Sequence, residues 1–173
     1  MEKKEKNQQV FPMFELVDGQ FKPLSTTDEN WQSRIWGYEI IPAQDGNPAV
    51  ILAKKCGEDG NVEDTTWNDF KAFAESVVLE GKTGALPSKE YLREQWTEEL
   101  RDNIQAMDGF LVEEGADGED RTADDIDYVG IPWCSEEYGE GRAYFFNLRY
   151  GSVDSRNKNR TSNYDRLAVA FNR

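Results

Sequence analysis

Two cysteines, no histidine and one dense run of carboxylates are the side chains of this 173-residue chain with the most chemistry to offer. Without an imidazole, the commonest general base and the nitrogen metal ligand are missing, and so is every Ser-His or Cys-His nucleophile pair. Cys56 and Cys134 lie far apart and outside any Cys-x-x-Cys spacing, which favours free thiols over a disulfide or a thiolate metal site. Cys134, in Trp133-Cys134-Ser135, has no cysteine near it in sequence. A small buried apolar role is the expectation for it. The residue types disfavour hydrolase and oxidase chemistry, and a non-catalytic protein is expected.

The carboxylates gather in Glu113 to Asp127, which holds eight of them and one arginine in fifteen residues. Such density repels itself unless it is solvated or holds a hard cation. Asp117, Asp120, Asp124 and Asp125 are the candidate calcium ligands on oxygen chemistry alone. Their spacing is not that of the twelve-residue EF-hand loop, and Gly118 is wrongly placed for its turn. A solvated acidic loop is the competing reading, and nothing else in the sequence calls for a cofactor.

A third set of polar residues lies near the C-terminal end. From Asp154 to Asp165 there is almost no core-forming side chain, and hydrogen-bonding ends this dense are costly to bury unpaired, so the whole interval is expected on a surface. The candidate ligand-binding residues are Asn147, Arg149, Ser152, Asp154, Arg156, Asn157, Asn159, Arg160, Ser162, Asn163 and Tyr164. Asn, Ser and Asp suit adaptable polar contact, while Tyr and Arg supply energetic anchors. Charge marks the same region: Arg142 to Arg173 carries seven basic and two acidic residues, a local +5 on a chain of net −14. Either the protein's own acidic loop neutralises this end, or an acidic partner does. Nucleic acid is a poor candidate for that partner, because the whole chain is acidic and no nucleic-acid motif appears.

The elements that must position these residues follow from turn chemistry and periodicity. Phe11 to Leu24 reads as a small hairpin about Asp18-Gly19, serving either to close the domain or to anchor the chain in a larger assembly. Trp36 to Ile41 and Pro48 to Ala53 form a second hairpin across Gln44-Asp45-Gly46-Asn47. Thr65-Thr66 caps a helix carrying Trp67, Phe70, Phe73, Ala74, Val77 and Val78, which ends at Gly81 and Gly84. A second helix starts at Pro87-Ser88 and aligns Leu92, Trp96, Leu100 and Ile104 on one face. Ala143 to Leu148 is an aromatic strand, Arg149 to Ser152 a turn, and Leu167 to Phe171 a last short strand. The domain expectation is an N-terminal arm over 1–35 and a single domain over 36–173. The polar start, MEKKEKNQQV, lacks the apolar run of a secretory signal, so cytoplasmic synthesis is expected, and no stretch is long and apolar enough for membrane insertion.

These residues, in this order, resemble a known family. Trp133, Ser135 and Glu136, the strand Ala143 to Asn147, Tyr150-Gly151-Ser152-Val153, Asn157-Lys158 and Ala168-Val169-Ala170-Phe171 are similar to the C-terminal half of bacterial and phage C-type-lectin-like domains. Leu86-Pro87-Ser88-Lys89-Glu90-Tyr91-Leu92 is similar to the helix start of that family. Its members include the target proteins of diversity-generating retroelements and, distantly, the formylglycine-generating enzymes. An oxidase of that last type is the less favoured implication: its copper or dithiol chemistry needs paired reactive cysteines near the C-terminal core, where Cys134 stands alone and Cys56 belongs to an early strand region. The resemblance covers roughly 36–171. It implies an α+β, C-type-lectin-like fold, two helices packed on twisted antiparallel sheet. It also implies a recognition module for a surface glycan or protein ligand, with a place on a virion or surface assembly, attached through the N-terminal arm, as its extension. The Glu-Pro-Asn and Trp-Asn-Asp calcium signatures of C-type lectins are missing from the acidic run over 113–127.

Overall fold

The computed structural model describes residues 8–54, 66–116, 129–160 and 165–171. Among them the architecture is α+β, with two sheets and four helices. Strands β1 (Met13–Val17) and β2 (Gln20–Leu24) form the first hairpin. Asp18 and Gly19 close it with φ of 52° and 79°, the two positive angles that a tight two-residue hairpin turn requires. After the one-turn helix α1 (Trp31–Arg34), β3 (Ile35–Ile41) and β4 (Ala49–Ala53) make the second hairpin in the expected place. β5 (Val78–Leu79), β6 (Lys82–Ala85) and β11 (Ala168–Phe171) complete a closed barrel in the order β1-β2-β5-β6-β11-β4-β3. The first hairpin is therefore part of the barrel: β1 pairs with β3 and β2 runs parallel to β5. A division at 35/36 would cut this barrel, so residues 13–24 close the domain and do not stand apart as an arm.

Thr66 caps α2 (Trp67–Glu75), accepting from the Asp69 amide, as the sequence implies. The helix ends at Glu75, earlier than expected, because the next residues turn into β5. Glu80 and Gly81, both at positive φ, close the β5–β6 hairpin and have no part in the helix. The second expected helix is two: α3 (Lys89–Gln95) and α4 (Glu98–Glu113). Trp96 is extended, at φ −70° and ψ 134°, and Thr97 opens a new helix by accepting from the Leu100 amide at 2.9 Å. The common face of Leu92, Trp96, Leu100 and Ile104 is thus broken at Trp96.

The second sheet is β10-β7-β8-β9, from β7 (Ile131–Glu137), β8 (Arg142–Asn147), β9 (Ser152–Asn157) and the two-residue β10 (Asp165–Arg166). Pairing is antiparallel except at β2–β5 and β7–β10, which are parallel over two residues each. One buried cluster joins Tyr38, Leu52, Ile104, Met107 and Phe146, and so packs α4 between barrel and sheet. The other joins Phe14, Trp36, Ile51, Trp67, Phe70 and Trp133 around α2.

A polar knot lies inside this apolar packing. Arg166, 1% exposed, holds Asp108 through both carboxylate oxygens at 2.8 and 2.9 Å. Its Nε donates to Ala53 O at 2.8 Å, and the Tyr38 hydroxyl donates to Asp108 at 2.5 Å. Burial pushes the Tyr38 hydroxyl well above its usual range, against the nearby Arg166 charge, so it remains a donor. The sequence reading missed all three residues. Asp108 is the next position in the every-four series after Ile104, and a carboxylate on an apolar helix face is the signal that could have found it.

Candidate functional site

The ribbon of β8 and β9 carries the polar interval, and the turn between them is fixed by its own side chains. Asn147 Oδ1 accepts from the amides of Arg149 and Tyr150 at 2.9 and 3.2 Å, and the Gly151 amide donates to Asn147 O at 2.7 Å. Gly151 has φ 74°, and a Cβ there would fall 2.5 Å from the Trp96 ring, so both torsion and space demand glycine. The Trp96 indole in turn donates to Leu148 O at 2.6 Å. The break between α3 and α4 is what brings Trp96 beneath this turn. Above it Tyr150 is 65% exposed, with the Arg149 guanidinium 5.3 Å over its ring. Tyr150 is absent from the sequence-derived set, although an aromatic residue at the tip of a Gly-Ser turn was a visible signal.

Strand parity then divides the candidates. Phe145 faces Asp154 and Ala143 faces Arg156 across the ribbon, so Asn147, Ser152, Asp154 and Arg156 share one face while Asn157 projects from the other. Ser152, Asp154, Asn159 and Arg160 are exposed and Arg149 is half-buried. Asn157, also exposed, is engaged in shaping the chain, accepting from the Asn159 amide at 2.8 Å. Arg156 is held by stacking and by charge: its guanidinium lies 4.5 Å over Trp133 and 5.1 Å over Phe145, and it is ion-paired to Asp165. The Asp165 side chain is fully buried, which corrects the expectation that the interval through Asp165 lies on a surface. A carboxylate can be buried here because Arg156 faces it. Ser162, Asn163 and Tyr164 lie outside the described residues.

Pairing also accounts for much of the local positive charge. Arg156 meets Asp165, Arg166 meets Asp108, and Lys158 meets Glu137 at 3.3 Å while lying 4.5 Å over Trp67. Arg142 packs 6.0 Å over Tyr138 and donates to Ser155 O at 2.7 Å. Arg160 remains exposed at the end of the ribbon.

Cys134 is fully buried in β7, and burial pushes its thiol far above the ordinary range, which suppresses the thiolate that reactions at sulfur require. Cys56 lies outside the described residues, as do Asp117, Asp120, Asp124 and Asp125. Among the described residues no group of three or more acidic, cysteine or histidine side chains could hold a metal ion, and no helix is long and apolar enough to cross a membrane. The chain matches no family model and no curated protein.

Proposed function

We propose that this chain is a non-catalytic recognition module of C-type-lectin-like type, which binds a glycan or protein ligand through the β8–β9 turn and the strand that follows it. One observation carries the reading: Tyr150 is exposed on a turn locked from beneath by Trp96 and from within by Asn147, and Ser152 and Asp154 are exposed on the strand that leaves it. A ligand meeting such a surface does not have to order it first, which lowers the entropic cost of binding. Tyr150 supplies rigid amphipathic area, while Ser152, Asp154, Asn159 and Arg160 supply directional polar contact. Arg156, Asn147 and Asn157 are support for that surface. The resemblance to phage and bacterial lectin-like domains favours a surface ligand and extends to a virion setting.

Binding of the purified chain to a glycan array and to bacterial surface proteins tests this. Tyr150→Ala and Asp154→Ala should each weaken binding about tenfold while leaving the melting temperature unchanged. Arg160→Ala should flatten the dependence on ionic strength. Undiminished binding by both Tyr150→Ala and Asp154→Ala overturns the assignment. Burial of Tyr150 against a second subunit in the native assembly would replace it with a structural role.

A further inference from the structure

Glu39 is out of place on the strand that carries it. Its Cα partner across β3 and β4 is Ile51, and the same buried cluster holds Phe14, Leu79 and Phe171. A glutamate on this apolar face is half-buried, and no hydrogen bond or ion pair reaches its carboxylate from the described residues. The position lies at an open end of the barrel, where a cleft of about 310 Å³ is lined by Phe14, Glu39, Leu79, Glu80, Lys82 and Phe171. That volume is room for about ten waters at ~30 Å³ each, the size of a short alkyl or aryl amine. Barrel mouths with an apolar floor and a few convergent polar groups are a recurrent setting for small ligands.

We propose that this barrel mouth binds a primary ammonium or guanidinium group carried on a short apolar stem, with Glu39 and Glu80 taking the cation and Phe14, Leu79 and Phe171 taking the stem. Glu80 is delivered to the rim by the β5–β6 turn, where it adopts φ 52°. With Lys82 on the same rim the cleft carries a net single negative charge, the complement of one monocation. Burial, with the Glu80 charge adding to it, holds the Glu39 carboxyl above its ordinary range, and an incoming cation opposes both by favouring the ionised form. The site uses no residue of the β8–β9 face, so its success or failure is independent of the recognition function.

The test is a 15N NMR titration of the full chain with n-hexylammonium chloride, N-acetyl-lysine amide and, as neutral comparator, 1-hexanol. Saturable shifts confined to the end of β3, the β5–β6 turn and β11 are expected for the ammonium compounds, with hexanol much weaker. Glu39→Gln and Glu80→Gln should each weaken binding about tenfold. Binding of both ammonium compounds identifies the chemistry of a lysine side chain, and binding of hexylammonium alone identifies a small free amine. Equal binding of hexanol, unchanged affinity in both variants, or shifts scattered over the acidic surface would overturn the proposal. Glu80 is exposed on a turn, so Glu80→Gln keeps the test decisive should Glu39→Gln fold poorly.

Discussion

Removing the Arg156 guanidinium would take the cation away from a fully buried carboxylate and strip the cover from Trp133 and Phe145 at once. Breaking a buried ion pair from one side typically costs 3–5 kcal/mol, and because the Arg156 side chain is 14% exposed the loss expected for Arg156→Ala is about 2–4 kcal/mol. Arg160→Ala, at an exposed position, should stay within about 0.5 kcal/mol of the parent. Urea denaturation of the two variants reads the difference directly, and equal midpoints would show that Arg156 is no more structural than Arg160. In sequence the two arginines look alike, each set among asparagines and serines. What separates them is strand parity, which points Arg156 at Trp133, together with a carboxylate that β10 brings in from the far edge of the sheet. Neither is visible until the register of β8 on β9 and the pairing of β10 with β7 are known.

Local chemistry made several elements legible: the Asp18-Gly19 hairpin, the Thr66 and Ser88 caps, and the aromatic strand over Ala143 to Asn147. It did not reveal the division between α3 and α4, because Leu92, Trp96, Leu100 and Ile104 keep helical spacing straight across it. Thr97 followed by Glu98 and Glu99 was the competing signal, a capping residue with acidic residues in the first turn. The short strands β5 and β6 were hidden for a different reason: segments of two and four residues carry too little alternation to stand out. The helix break bears on the candidate site, since the extended Trp96 packs against the Gly151 turn. Gly151→Ala combines a left-handed φ with a Cβ 2.5 Å from the Trp96 ring, so a loss of about 2–4 kcal/mol is expected. In the Trp96→Ala background the steric part has no object, and Gly151→Ala should then cost only the backbone part, about 1–2 kcal/mol. A double-mutant cycle by chemical denaturation measures this. Additivity within error would mean that the turn and the helix junction do not bear on each other.

Barrel, helix α4 and second sheet meet at Arg166, which belongs to β10 yet spends its donors on Ala53 of β4, Asp108 of α4 and the hydroxyl of Tyr38 in β3. Position 166 thus requires the sheet, the long helix and the barrel to be assembled together, and a purely apolar contact would not impose so narrow a geometry. Bidentate pairing is what makes an arginine and an aspartate tolerable at 1% and 0% exposure. Asp108→Ala removes one side of that pair and should cost about 3–5 kcal/mol. Replacing both members, as Asp108→Leu with Arg166→Met, removes the buried charges but takes the partners from the Tyr38 hydroxyl and the Ala53 and Val129 carbonyls, so in a Tyr38→Phe background, where no hydroxyl is left over, the pair should cost less than Asp108→Ala alone. The two outcomes also differ in cooperativity. If the network is what couples the two sheets, hydrogen exchange under mild denaturant should show the parent opening β4 and β7 together. In the double variant β7 should open first, since the apolar replacement holds stability but not the specific link between sheets. Simultaneous opening in the double variant would assign the coupling to the shared apolar cluster of Ile104, Met107 and Phe146 instead.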